Sequence, residues 1–207
     1  MRTVAGHSAG GRSVEGMEVS ARPYAPDDAA ALANVMWRSV RIAALADYSE
    51  AQTEAWLPAP RSAEEMHRWA SDGRTMLVAT SEDGRVAGYL DLEADGHIGH
   101  LHCVPEVVGA GVAGALYDAL ERLARDAGVA KLRVEASEAA RRFFTTQGFR
   151  VEKRRDWQLR GVPIHHYAMS KALEPPGAAP PSPGAEPATS RSQVRAATPE
   201  CCDESAT

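Results

Sequence analysis

Three glycines in six residues, Gly109, Gly111 and Gly114, stand between an alternating segment that ends at Val104 and a strongly periodic one that begins at Val112. A strand, a glycine-rich turn and a helix N-terminus in that order leave backbone N–H groups without internal partners. The helix dipole adds roughly +0.5 of an elementary charge at the same place. This is an anion cradle, so the sequence predicts a phosphate-bearing ligand at Gly109 to Gly114. It is not a nucleotide P-loop, which needs Lys and Ser or Thr after its glycines. Here Ala115 and Leu116 follow Gly114.

The segments around the cradle fall into a regular order. Glu18 to Tyr24 reads as a first strand, and Pro26-Asp27-Asp28 as an acidic helix start before Leu32, Val35, Met36 and Val40 at helical spacing. Ser49 with Gln52 and Ser62 with Glu65 are capping-box patterns that open two further short helices. Thr75 to Thr80, Val86 to Glu93 and His97 to Val104 read as strands joined by Asp-Gly turns, an antiparallel meander that leads into the glycines. The helix beyond them has one apolar stripe: Val112, Ala115, Leu116, Ala119, Leu120, Leu123, Ala124 and Ala127. Lys131 to Ala136 is a strand, Ser137 caps a helix holding Phe143 and Phe144, and Phe149 to Met169 is a final hairpin turning at Arg160-Gly161. The predicted fold class is α+β, a mixed α/β domain around a mostly antiparallel central sheet flanked by helices.

Three divisions follow. Residues 1–16 read as a disordered extension, 17–173 as the domain, and 174–207, rich in Pro, Ala and Ser, as a disordered tail with too few apolar groups to offset ordering entropy. A formal charge of −5 gives no general case for nucleic acid. No apolar run approaches the ~20 residues that span a bilayer, and no secretory signal is evident. Cys103, Cys201 and Cys202 make no disulfide framework, and no Cys/His spacing forms a metal site. A reducing, cytoplasmic setting is the expectation.

Taken together, the element order and the cradle resemble the GNAT superfamily of N-acetyltransferases, over roughly Val19 to Leu173. The superfamily's signature is Gln or Arg, two residues, Gly, one residue, then Gly or Ala. It is read here at Val108-Gly109-Ala110-Gly111-Val112-Ala113, with Pro105 before it and Gly114 after. Ala139-Ala140-Arg141-Arg142-Phe143-Phe144 with Gly148-Phe149 resembles the superfamily's later helix segment. Ala46-Asp47-Tyr48-Ser49 with Gln52 and Trp56, and Val134-Glu135-Ala136-Ser137, resemble the small bacterial YafP-like group. The resemblance implies acetyl-CoA as co-substrate, with its pyrophosphate on the amides of Gly109, Ala110, Gly111, Val112, Ala113 and Gly114. Its pantetheine arm would lie along Leu101, His102, Cys103 and Val104, where the fourth and fifth strands splay apart, and Ser137 and Phe143 would complete the cofactor wall. Two departures stand out. Val108 lacks the donor usual at its position, and Phe144 occupies a place where many relatives carry the Tyr that protonates the leaving thiolate.

Acetyl transfer to an amine needs a group, or a water chain to one, that takes the amine's proton. Counting back from Val108 as in histone-acetylating relatives lands on His97, and Glu93 is the other base candidate. His97, His100 and His102 share one predicted strand. Simple alternation turns His100 and His102 one way and His97 the other, unless a bulge intervenes. Asp91 could draw a cationic amine inward, and Tyr48 and Tyr167 are acceptor-site candidates. Arg141 and Arg142 either reach CoA phosphates or form a solvated pair. Cys103 reads as a small core residue rather than a nucleophile. The expected partner is a small-molecule or protein amine, and a homodimer is possible. The alternative from another class is a non-catalytic acyl-CoA-binding or regulatory module.

Overall fold

In a computed structural model of the chain, the structure describes residues 20–173, Glu82 excepted. The predicted extension at 1–16, the tail at 174–207 and the first residues of the predicted first strand lie outside the described residues. The order is β1 (Ser20–Pro23), α1 (Ala29–Arg41), α2 (Glu50–Trp56), α3 (Ala63–Ala70), β2 (Thr75–Thr80), β3 (Val86–Leu92), β4 (His97–Ile98), β5 (Leu101–Cys103), α4 (Val112–Asp126), β6 (Lys131–Ala136), α5 (Glu138–Thr146), β7 (Arg150–Leu159) and β8 (Val162–Ala172). Short 3-10 turns precede α1 at Pro26–Asp28 and follow it at Ala43–Ala46. Both capping boxes form as the sequence predicts. Ser49 and Ser62 each accept from the amide three residues on, while Gln52 and Glu65 reach back.

The strands form two four-stranded sets, β1-β2-β3-β5 and β4-β6-β8-β7. All pairs are antiparallel except β4 with β6. The mixed, mostly antiparallel class is as predicted, and the predicted splay has a definite origin. The single strand expected over His97 to Val104 is broken at Gly99-His100. Its first piece pairs with β6 (His97↔Arg133, Ile98↔Val134) and its second with β3 (Gly88↔Cys103, Leu90↔Leu101). β5 and β6 are therefore not paired, and a cleft opens between them. Asp91 causes the break. Its Oδ1 accepts the amides of both Gly99 and His100 at 2.9 Å, which takes those N–H groups out of the ladder. A Cβ at position 99 would stand 2.9 Å from the same oxygen, so the residue there is glycine.

α1 packs on β3 and β5 with α3 against it, and α4 packs on all four strands of the first set. Half of the stripe predicted on α4 is buried (Val112, Leu116, Leu120 and Ala124), Ala115 and Ala119 are half-buried, and Ala127 and Leu123 need correction as exposed. Leu123 is 43% exposed, and Tyr117 takes its place inside. Tyr117 turns inward because its ring meets Phe143, Phe144 and Phe149 edge-on, at centroid distances of 6.1, 6.1 and 5.9 Å. That aromatic cluster joins α4 to α5 and closes the core under the second set of strands.

Candidate active site

The cleft between β5 and β6 is a cavity of about 600 Å³, within the usual range for a small-molecule site. Its floor is Leu101, His102 and Cys103. One lip is Gly109 with Gly111, Val112, Ala113 and Gly114, and the other is Ser137 and Phe143 at the start and middle of α5. Of the residues expected on the cofactor wall, Val104 and Ala110 do not line it. Val104 is buried beneath, and its amide donates to the Ala87 carbonyl. The Ala110 amide closes the turn onto Val107.

The glycine turn has the geometry its composition predicts. Gly109 (φ 84°) and Gly111 (φ 83°) both lie in the left-handed region. An L side chain pays about 1–2 kcal/mol there, so glycine is the residue that makes the turn without strain. Gly111 is the N-cap of α4, and the first intrahelical bond runs from Ala115 N to Gly111 O. The amides from Gly111 to Gly114 therefore begin the helix without partners inside it. Val108 stands 68% exposed at the rim with no donor to offer. The cationic side chain on the cavity wall is Arg142, and both its terminal nitrogens bind Asp47, at 2.8 and 2.7 Å. Arg141 binds Glu138 and lies over the Tyr167 ring. Neither arginine is simply solvated, and anion binding here falls mainly to backbone.

The structure places the acceptor-end candidates off the cavity wall, each engaged with other residues of the chain. Asp91 does not face an incoming cation. It has no exposure, and four donors fill its oxygens: the two amides on Oδ1, with Arg74 Nη1 (2.8 Å) and His100 Nδ1 (2.7 Å) on Oδ2. Burial pushes this carboxyl up, but the bonds and charges of His100 and Arg74 outweigh it and hold it at about 2. His97 and Glu93 pair with each other at 3.3 Å and are not part of the cavity wall, because β4 is pulled toward β6 by the break. Tyr48 is buried. Its hydroxyl accepts the Glu138 amide and donates to the His165 carbonyl, and its ring packs on Trp56. Tyr167 donates to Glu138 at 2.5 Å, a bond that leads the effects holding this carboxyl at about 2. Both tyrosines brace α5 against α2 and β8 behind the cavity wall.

The structure adds residues that sequence reasoning did not place. Val40 at the end of α1 and Ala43, Ala44 and Ala46 just beyond it form a wall of small side chains, with Glu135 beside them and with Trp56, which the sequence puts in the helical segment covering the acceptor site. Ser39 holds the buried His102 through Nδ1 at 3.1 Å. Burial drives the His102 imidazole down to about 3 and the Cys103 thiol up to about 12, so both are neutral at pH 7. His100 also lies on the wall. The sequence puts it on a continuous strand, whereas it sits in the break, bound to Asp91.

A splayed pair of strands, a glycine turn capping a helix and a cavity between them define an acyl-CoA-dependent transferase fold. A family model described as acetyltransferase (GNAT) domain matches residues 44–171, and the chain belongs to that family of acetyltransferases. The GCN5-related N-acetyltransferase of Rhodopseudomonas palustris is 35% identical, with a TM-score of 0.68 over 74% of this chain and 95% of that one. An uncharacterized N-acetyltransferase of Mycobacterium tuberculosis is 25% identical over 153 residues, which cover 70% of this chain and 98% of the relative. The fold is also that of a phosphinothricin acetyltransferase from Sinorhizobium meliloti solved with acetyl-CoA, at 21% identity and TM-score 0.62, over 80% and 94% of the two chains. No helix among the described residues is long and apolar enough to cross a membrane.

Proposed function

We propose that this chain moves acetyl from acetyl-CoA directly to an amine. The observation that carries the reading is the joint one: an unpaired β5/β6 cleft whose mouth is a left-handed glycine turn on a helix N-terminus. The amides at Gly109 and from Gly111 to Gly114 hold the pyrophosphate. The free edge of β5 at Leu101 to Cys103 bonds the pantetheine arm as an added strand would, and Ser137 and Phe143 close the far side. The acceptor comes from the opposite end, where Ala43, Ala44, Ala46, Asp47 and Trp56 face the cleft. That wall is of small and apolar residues with two carboxylates, Asp47 clasped by Arg142 and Glu135, which suits the uncharged form of an amine on a small molecule or a protein terminus. The likeness to YafP-like relatives rests on the segments around Tyr48 and Glu135 alone.

Direct transfer is favoured over an acyl-enzyme route because Cys103 is held as a thiol, and a thiol is a poor nucleophile. The test is acetyl-CoA binding by calorimetry, followed by thiol release with spermidine, L-lysine, glucosamine and an alanyl peptide. Binding with amine-dependent release by at least one of them is expected. Failure to bind acetyl-CoA would sink the reading. Binding without release across a wide amine panel would favour the acyl-CoA-binding module instead.

A further inference from the structure

The cavity's ionisable side chains are few, and nearly all are committed elsewhere. Asp47 is clasped by Arg142. Glu135 lies 2.7 Å from His166 Nε2 and 3.8 Å from Arg155, and these partners outweigh burial in keeping it ionised. His102 and Cys103 are neutral through burial. His100 remains, and it is built differently from the rest.

Its Nδ1 meets Asp91 Oδ2 at 2.7 Å, its backbone amide meets Oδ1 of the same carboxylate, and its ring stacks on Trp69 at 5.1 Å and 21°. An ionised carboxylate only accepts, so a hydrogen sits on Nδ1, and in the neutral ring the lone pair is on Nε2. Among the described residues nothing bonds Nε2. The side chain is 20% exposed and lies on the cavity wall, while Asp91 is not exposed at all. Tyr89 lies in the same cluster, with its ring 6.4 Å from His100. Its fully buried hydroxyl has no partner among the described residues, a costly arrangement unless a polar atom meets it. The side chain that many relatives use to protonate sulfur is replaced by Phe144, which is fully buried.

Resting on the transfer reading above, we infer that His100 Nε2 takes the proton of the attacking amine and passes it to the departing sulfur, with Asp91 as the positioning residue that fixes its tautomer. The neutral amine's lone pair forms the N–C bond at the thioester carbonyl, and the excess proton on nitrogen moves to Nε2. The C–S bond then breaks with its electron pair on sulfur. His100 returns the same proton to that sulfur, so amide and CoA thiol leave and the imidazole is neutral again. One imidazole does both jobs, and no hydroxyl is required at position 144. Asp91 in turn is held by Arg74, which Asp72 also binds, and Glu93 stands 3.9 Å from the same guanidinium. The groups facing His100 are thus Asp91, Arg74, Trp69, Tyr89 and His102.

The test uses the full chain with spermidine, L-lysine, glucosamine and an alanyl peptide as probes. His100→Ala and His100→Gln should each lower kcat by about 10²–10⁴-fold while acetyl-CoA affinity stays close to wild type; both lose the bond to buried Asp91 and should melt a few degrees lower, so native circular dichroism at the assay temperature checks that they are folded. Both should erase the acidic limb that wild type shows when a protonated Nε2 can no longer accept. Asp91→Asn should lower kcat more than it changes KM and move that limb to lower pH, because losing the carboxylate favours the neutral ring. An imidazole NMR titration of wild type and Asp91→Asn reads the same displacement without turnover, and a kinetic limb that does not move with the His100 ring would overturn the inference. Turnover and an acidic limb undiminished in both His100 variants would overturn the inference while leaving acetyl transfer standing, as would loss of that limb in His97→Ala alone. A wild-type chain that released no thiol with any amine would overturn both.

Discussion

Replacing Gly109 separates what the turn does for the fold from what it does for the ligand. A Cβ built at Gly109 meets nothing within 4 Å, so the site has room and only backbone strain opposes an L residue. At φ 84° that strain is about 1–2 kcal/mol. Restricting the unfolded chain returns about 0.4–1 kcal/mol. Gly109→Ala should therefore cost about 1 kcal/mol and lower the thermal midpoint by about 2–4 °C for a domain of this size. Gly109→Glu bears the same strain and adds a carboxylate at the mouth of the cradle. A unit charge about 5 Å from a phosphate at an effective dielectric of about 20 is worth roughly 3 kcal/mol, or about 150-fold in Kd. The two variants should thus share a melting temperature and differ about a hundredfold in acetyl-CoA affinity by calorimetry. The gap should narrow as salt rises from 0.15 to 0.5 M. Equal affinities for the two variants would show that the phosphates do not rest on this turn.

Val108→Arg adds a cation at an exposed rim position that lacks one, so acetyl-CoA should bind several-fold tighter by calorimetry, with the gain fading in high salt. Cys103→Ala should keep kcat within about threefold, and intact-protein mass spectrometry of wild type mixed with acetyl-CoA should show no acetylated chain. The Asp91 carboxyl titrates at about 2 in the folded chain against an ordinary 3.8. Its contribution to stability is therefore present above the ordinary value and is lost as pH falls through about 2. The gap corresponds to roughly 2 kcal/mol. In urea unfolding at pH 7, 4 and 2.5, the stability difference between wild type and Asp91→Asn should shrink on the acid side; a constant difference would contradict the linkage.

What the chain order reveals and what it hides divide by distance along the sequence. The Ser49 and Ser62 caps, the glycine turn and the inner face of α4 were legible because a capping box spans three residues and a helical stripe repeats every three or four. The wall of the cleft at Leu101 to Cys103 was legible through the family resemblance. The acceptor end was not. Asp91 reads as a polar residue near a strand end, and only Arg74, seventeen positions earlier, and His100, nine later, make it a buried anchor. The same holds for Asp47, whose partner Arg142 is 95 residues away. Counting eleven residues back from Val108 selects His97 only if the strand runs unbroken, and Asp91 breaks it. Leu123 shows the converse: the periodicity of α4 is right, but the width of its buried face depends on what packs there, and Phe143, Phe144 and Phe149 call for Tyr117 instead.

The break at Gly99-His100 also bears on how the protein holds together. Up to Cys103 the described chain builds one set of strands, and from His97 onward it builds the other, so two nearly consecutive stretches overlap by only seven residues. The cleft belongs to neither stretch alone and exists only when both have folded and docked. A ligand seated there binds the assembled state and not its parts. Saturation at 100 times Kd would stabilise the whole by about 2.7 kcal/mol, and bound donor would act as a clamp across the seam where the two halves of the molecule meet.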